Sequence, residues 1–386
     1  MDQKESKKTI RTYSWASFLN DMGSDMIYPV WPLFVTSLGA NMAVLGFLDG
    51  LGDAIVSLSQ AASGYISDRI SKRKVFVWLG YLFGGLSRLG YAFSTAWQHL
   101  IPFRILDRAG KIRGAPRDAI IADLSTDEDR GKNFGLLRTM DNLGAVCGTL
   151  TCILFVGFLG YRYLFLIAAV PSFIGAALII SVGREKKPDG SKVFKGIRLR
   201  DLDRNFRFFL LLSALFALGS FSYSFLLICA KEFGFEVTFV PVLYLAFTAV
   251  AAATSLPFGR LSDRIGRKAV MVIAFILWGL VCLGFMFVKS HLMVVANFIL
   301  YGLHRGAIDT VQRAFVAELS PEAYRASGLG GFQMVVGLCA LPASVIAGLL
   351  WESIGVLAPF YFSLALTVVA AAMLMFVRGG VNGTEK

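Results

Sequence analysis

The side chains best placed to do chemistry are ionisable residues set deep inside long apolar runs. Asp21 and Asp25 lie in the first run, Asp49 and Asp53 in the second and Arg88 in the third. The fourth holds Arg104, Asp107, Arg108, Lys111, Arg113, Arg117 and Asp118, and the fifth Arg138 and Asp141. Seven acids accompany seven bases, so mutual neutralisation is possible. A charge left against lipid would cost roughly 2.5–3.5 kcal/mol or more, so these groups must turn into the protein or a wet cavity. A carboxylate whose hydration and distance to a cation change as a cavity opens and closes will load and release a proton. Asp25 and Asp21 are the first candidates for such coupling, with Asp53 on the next run and Arg104 and Arg108 as modulating cations.

Helical geometry sorts the fourth run. At about 100° per residue, Arg104, Asp107, Arg108, Lys111 and Asp118 fall within about 100° of one another and are expected to line a cavity. Arg113 and Arg117 fall opposite and should pair with neighbouring helices, including the region of Asp141. Pro116 should bend this helix. In the first run Asp21, Ser24, Asp25 and Tyr28 share a face, ahead of Pro29 and Pro32, which should loosen the remainder. Cation-rich faces in a desolvated cavity select carboxylate or phosphate groups through charge-assisted hydrogen bonds.

The second half of the chain is poorer in internal charge. Arg305, Asp309 and Arg313 recur every four residues and share one helical face, beside His304. His304 is a candidate proton switch, although a lone His in a polar helix is more often a hydrogen-bonded structural residue. The seventh run supplies Ser213, Ser220, Ser222, Tyr223 and Ser224. Tyr28, Asp107, Lys111, Asp118, Tyr223, His304, Arg305, Asp309 and Arg313 are therefore the expected cavity residues.

Lipid must be the solvent that positions these groups. In 386 residues, 56% are hydrophobic, 33 are Phe and the mean hydropathy is +0.63, more apolar surface than a soluble core of that size could hide. At about 20 residues per crossing, the runs give twelve spans at 12–37, 44–67, 75–95, 99–123, 134–158 and 161–182, then 207–230, 239–261, 269–288, 291–318, 326–350 and 355–378. All should be helices, because single crossings of lipid satisfy their own backbone hydrogen bonds and the ten-residue alternation of a barrel is absent. No soluble domain is left over.

The net charge of +12 would suggest nucleic acid in a soluble protein, but these bases fall mostly in short connections and are read as a topology signal. No nucleic-acid partner is expected. Loop charges place both termini in the cytoplasm of a multi-pass protein of the inner or plasma membrane. The basic segment 183–206 should be a cytoplasmic linker on anionic headgroups. The first run is too long for a cleaved signal and lacks a small-residue cleavage site. Cys147, Cys152, Cys229, Cys282 and Cys339 lie within apolar runs without a Cys-x-x-Cys pattern or a neighbouring His, so they read as core residues and no metal is expected.

One charged hinge occurs twice. The stretch GYISDRISKRK at 64–74 returns as GRLSDRIGRK at 259–268, 195 positions later. The same shift relates Gly39 to Gly234, Asp123 to Glu318, Arg130 to Arg325, Gly160 to Gly355 and Phe165 to Phe360. A single shift without gaps implies duplication: an N-terminal six-helix bundle at 1–182, the linker 183–206 and a C-terminal six-helix bundle at 207–386.

The pattern Gly-x-Leu-x-Asp-Arg-x-Gly-Arg-Lys resembles the signature loop of the major facilitator superfamily. The likeness extends over essentially the whole chain. The copy at 259–268 matches throughout, while the first has Ile66 for the Leu and Ser71 for the second Gly. The resemblance implies an all-α membrane fold of two six-helix bundles with a pseudo-two-fold repeat, alternating access to a midplane site. It also implies that spans 1, 4, 7 and 10 line the cavity, and these are among the most polar spans here. It further implies a cytoplasmic gate of Gly64, Asp68, Arg69 and Asp123, repeated as Gly259, Asp263, Arg264 and Glu318, in which the Asp caps a helix and the Arg pairs with the acid ending the fourth span. In span 5, Gly135, Gly144 and Gly148 resemble the family's antiporter signature, which then departs at Thr149 and Cys152-Ile153; Gly at this spacing also permits tight helix packing.

These features lead to the expectation of a proton-coupled secondary transporter exporting a small metabolite, siderophore-like compound or drug. Proton-coupled uptake of an organic anion is the alternative, and a transporter-like membrane sensor or lipid translocator is the reading from another class. The expected partners are a small-molecule substrate, the proton and the bilayer, with the protein a monomer. No cofactor motif, nucleotide loop or catalytic triad is present, so an enzyme is not expected.

Overall fold

A computed structural model describes residues 3–70, 72–126, 129–183, 203–320 and 325–378; most of the linker and the side chain of Asp68 lie outside the described residues. The described chain is helical throughout, with short turns and no strand. The twelve expected spans map onto helices as follows. Span 1 is α1 (Gln3–Asp25) with α2 (Trp31–Ser37), span 2 is α3 (Met42–Ile70) and span 3 is α4 (Arg73–Phe93). Span 4 is α5 (Leu100–Ala109), a 3-10 turn at Gly110–Arg113 and α6 (Gly114–Asp123). Spans 5 and 6 run together as α7 (Arg130–Ser181), which is two helices meeting at Gly160. Span 7 is α8 (Arg204–Gly219) with α9 (Tyr223–Glu232). The remainder are α10 (Val240–Ile265), α11 (Arg267–Met286), α12 (His291–Leu319), α13 (Arg325–Ser353) and α14 (Ala358–Phe376).

Three spans break where their residues demand it. In span 1, Pro29 and Pro32 lack N–H groups and cannot continue the helix that ends at Asp25; α2 restarts with Pro32 in its first turn, where the missing donor is harmless. In span 4, the ring of Pro116 crowds the carbonyl of Ile112 one turn back. The chain answers with the tighter 3-10 turn at Gly110–Arg113, so the expected bend falls ahead of the proline. Span 7 breaks without proline. Residues 220–222 are non-helical, and Ser222 caps α9 by accepting from the Ser224 N–H at 3.2 Å. This break lies 195 positions after that of span 1 and puts Tyr223 opposite Tyr28 in the repeat.

Helices 1 and 7 of the first half pack closely because glycine lets them. A Cβ on Gly144 would strike the Phe18 carbonyl of α1, and one on Gly148 the Met22 carbonyl. Gly160 has φ of 65° and its repeat Gly355 a φ of 135°, conformations that side-chain-bearing residues rarely adopt. Both reverse the chain between spans.

The described helices cluster as two units. The first comprises Met1–Ala40, Leu51–Phe194 and Val237–Pro241; the second comprises Asn41–Gly50, Lys195–Glu236 and Val242–Lys386. The first has a core of Ile10, Tyr13, Val77, Tyr81, Leu137 and Ile179, with Trp31, Phe34, Tyr91 and Phe165 in edge contact further along. The second is built on aromatic contacts, among them Phe209 with Phe315 and Phe332, and Trp278 with Phe221 and Tyr301.

The repeat is less uniform than a single shift. Lys74 Nζ donates to the Ile180 and Val182 carbonyls (2.9 and 2.5 Å), and Lys268 Nζ to those of Met375 and Val377 (2.7 and 2.9 Å). The acceptors are 195 positions apart but the lysines 194. The loop before α4 carries one residue more than the loop before α11, so Arg73 and Lys74 correspond to Arg267 and Lys268.

Apolar length alone marks spans 2, 5, 6, 7, 8, 9, 11 and 12 as membrane-crossing. Spans 1, 3, 4 and 10, which carry most of the internal charge, are left out. Their charges must therefore be accommodated within the protein.

Candidate functional site

The charges of the first unit separate into three sets. The first surrounds α5. Arg104, 2% exposed, lies over the Trp31 ring at 4.2 Å, and Arg108 over the Tyr28 ring at 4.9 Å, its Nη1 donating to Tyr28 Oη at 3.4 Å. Asp107 is buried, 3.6 Å from Arg108 Nε. Gly52 of α3 presses on both arginines: a Cβ there would stand 3.0 Å from Arg104 Nε and 3.2 Å from Arg108. The aromatic partners come from the break in span 1, so the prolines that interrupt α1 also place the rings that hold the cations. Lys111, in the 3-10 turn, is half-buried and has no hydrogen-bond or ion-pair partner among the described residues.

The second set is one ion pair and one four-residue ion-pair network. Arg113 meets Asp21 at 3.4 Å and lies over Tyr81 at 5.3 Å. Arg117 meets Asp118 at 3.2 Å and Asp141 at 3.3 Å, and Ser17 bonds to both Arg117 and Asp141. Arg138 completes it with Asp118 at 2.8 Å and Asp141 at 3.3 Å. Asp118 thus leaves the face of Arg104 and Asp107 and joins Arg117. The 3-10 turn has three residues per turn rather than 3.6, so a helical wheel drawn through Gly110 loses register beyond it. Asp21 is paired with Arg113 rather than with Arg104 or Arg108. Asp25 is half-buried at the end of α1 beside Gly148. Asp53 is exposed on α3.

The third set centres on Arg88, 1% exposed. Its Nη1 donates to the Ala168 carbonyl (3.0 Å) and to Ser172 Oγ, and its Nη2 to the Asn20 carbonyl (3.2 Å) and Ser24 Oγ (2.8 Å). Every one of these acceptors is neutral. Sequence reading noted Arg88 as a charge but not as the hub tying α1, α4 and α7.

In the second unit, His304 is buried with Nδ1 2.8 Å from the Ala274 carbonyl, among Phe216, Trp278 and Tyr301. It packs into the helix layer, whereas Arg305, Asp309 and Arg313 form an exposed face on α12, with Arg305 and Asp309 paired at 2.8 Å. Tyr223 stands in edge contact with Tyr244 and close to Phe247. Sequence reading noted Asp49 as an internal charge without giving it a role; it is 2% exposed and accepts from Ser222 Oγ at 2.7 Å.

At the repeated hinge, Gly64 faces Ala115 and Gly259 faces Thr310, contacts that match across the repeat. Arg69, Asp263 and Arg264 are exposed. The acids ending spans 4 and 10 pair with the residues that open the following helices: Asp123 with Arg73 at 2.5 Å and Glu318 with Arg267 at 2.9 Å.

The sequence matches the family model of the Major Facilitator Superfamily over residues 13–228 and 207–385. It is 38% identical over 385 residues to the uncharacterized MFS-type transporter MJ1317 of Methanocaldococcus jannaschii, covering 97% of this chain and 96% of that one. It is 26% identical over 340 residues to the multi-drug resistance efflux pump PmrA of Streptococcus pneumoniae, covering 82% of each. Among solved structures, a mutant of the nucleoside transporter NupG superposes with a TM-score of 0.82 at 16% identity, covering 95% of this chain and 99% of that one. A D-xylose-proton symporter superposes with a TM-score of 0.76 at 15% identity, covering 98% and 99%. With a twelve-helix fold, a family match along nearly its whole length and a full-length relative at 38% identity, the chain belongs to the major facilitator superfamily of multi-pass membrane transporters.

Proposed function

We propose that this transporter couples the proton gradient to export of a small organic molecule, a metabolite, siderophore-like compound or drug. The observation that carries the reading is the position of Asp25 at the break of span 1. It ends α1, three residues from the Tyr28 that holds Arg108, where a movement of the half-helices would change its surroundings. A carboxylate at a helix break near a cation is suited to exchanging a proton as the helix moves. The likeness to an efflux pump over most of the chain favours export. In this reading, bundles 1–182 and 207–386 alternate access about the linker 183–206, both termini are cytoplasmic and one chain is the working unit. The cytoplasmic door includes Gly64, Asp68, Arg69 and Asp123 with their repeats Gly259, Asp263, Arg264 and Glu318.

The test starts with a thermal-shift screen of purified protein against metabolites and drugs at two pH values, followed by transport of hits in vesicles with an imposed pH gradient. Gradient-driven flux should vanish in Asp25→Asn while the protein remains in the membrane; unchanged flux would remove Asp25 from the mechanism. A second reading, uptake of an organic anion, is favoured by Lys111, a base at lipid depth without a described counter-ion. Accumulation of an anionic hit along an inward proton gradient would establish it in place of export.

A further inference from the structure

Among the described residues two carboxylates are buried, Asp107 at 8% exposure and Asp49 at 2%. Asp107 lies beside the arginines of the first unit, but Asp49 has a different setting. It lies in the second turn of α3, within the stretch that packs into the second unit, and accepts from Ser222 Oγ at 2.7 Å. Ser222 is the N-cap of α9, so one hydroxyl joins the carboxylate to the start of a helix. On the other side of the break, α8 ends at Gly219 with its last carbonyls beyond the reach of helical N–H groups. The Ser220 N–H satisfies the Ala217 carbonyl at 3.1 Å.

Burial of unpartnered hydroxyls marks this region. The Oγ atoms of Ser220 and Ser224, which flank Ser222, are buried without a hydrogen-bond partner among the described residues, and Ser213 on α8 is in the same condition. A buried polar group without a partner costs about 1–3 kcal/mol. Two such groups, each two residues from the hydroxyl that bonds a buried carboxylate, point to a polar ligand.

We propose that the break between α8 and α9, with Asp49 and the hydroxyls of Ser220, Ser222 and Ser224, binds a sodium ion. Every available donor is oxygen, the preference of a hard cation rather than of zinc or copper. One carboxylate balances a single charge, which favours a monovalent over a divalent ion. The two half-helices supply complementary ends: the N-terminus of α9 supports the ionised Asp49, while the carbonyl end of α8 attracts the cation. Ser222 Oγ, which now donates to Asp49, would turn its proton aside and offer a lone pair. This ion site is separate from the proton-exchanging acids of the first unit and does not depend on them.

The experiment is binding of radioactive sodium to the purified full-length protein in detergent at fixed pH, with choline chloride holding ionic strength constant, alongside thermal shift in the same buffers. The wild type should bind sodium saturably and gain thermal stability. Asp49→Asn should lose binding by about a hundredfold, and Ser222→Ala by about threefold to tenfold, as expected for loss of the charge and of one ligand. The conservative Ser222→Ala decides the matter if Asp49→Asn does not fold. Absence of saturable binding by the wild type, or binding unchanged in the variants, would overturn the proposal. Stabilisation by lowered pH with no effect of sodium would also overturn it and assign Asp49 to a proton.

Discussion

A lysine held at lipid depth without a described counter-ion is tolerable only where water or an anion reaches it. Lys111 meets that condition on the 3-10 turn, whereas the neighbouring Arg104 and Arg108 are held over Trp31 and Tyr28. Lys111→Gln should therefore weaken binding of an anionic cargo by about tenfold or more and leave a neutral cargo unaffected, as read by thermal-shift titration. Equal loss for both would make Lys111 structural. Arg88 is the opposite case, a cation satisfied by four neutral acceptors. Arg88→Leu would remove the four hydrogen bonds that tie α1 and α7 to α4 and should destabilise by roughly 3 kcal/mol or more. Wild-type-like thermal stability in detergent would contradict that role. Composition showed that the charges must face inward, and spacing set Arg113 and Arg117 towards neighbouring helices and the region of Asp141, where Arg117 is found; the pairing of Arg113 with Asp21 was not foreseen. Which acid each base meets was not legible, because ion pairing depends on tertiary neighbours drawn from α1, α4 and α7.

At the scale of helices, the limits of sequence reading have identifiable causes. Pro29 and Pro32 announced the break in span 1. The break in span 7 has no proline and rests on Ser222 as a cap, a residue type equally at home in an unbroken polar helix. In span 4 the position of the 3-10 turn decided the fate of Asp118, and a wheel with one fixed period had no means of showing it. The glycines of span 5 give the reverse lesson. Their spacing resembles a functional signature, yet Gly144 and Gly148 have a direct steric task against α1 while nothing lies within 4 Å of a Cβ at Gly135. Gly148→Val should drive a side chain into the Met22 backbone and cost more than about 3 kcal/mol, visible as loss of monodisperse protein on size-exclusion chromatography. Gly135→Ala should stay within about 0.5 kcal/mol of wild type. Comparable damage from both would remove the packing explanation.

Across the whole chain, duplication organises folding and function differently. Core contacts differ between halves, since the first buries ion pairs and the second mostly aromatic rings. The hinge keeps its chemistry: an Arg opening α4 or α11 reaches an acid ending span 4 or 10, and the adjacent Lys caps α7 or α14. The one-residue difference between loops is absorbed upstream of Arg73 and Arg267, so the contacts survive although the sequence register does not. Preservation of a half-exposed pair is weak evidence for stability, because pairs open to solvent contribute about 0–1 kcal/mol. Asp123 keeps its end of the pair in solvent with a side chain 43% exposed, although that of Arg73 is 8% exposed. The pairs are better explained if they bias motion at the cytoplasmic door proposed above. Combining Asp123→Asn with Glu318→Gln should then lower the melting temperature by no more than about 4 °C, yet slow transport in vesicles by about tenfold, a change of 1.4 kcal/mol in the balance or barrier between states. Transport at the wild-type rate would leave the paired acids as relics of duplication, and a large loss of thermal stability would make them structural braces; either result would refute the door.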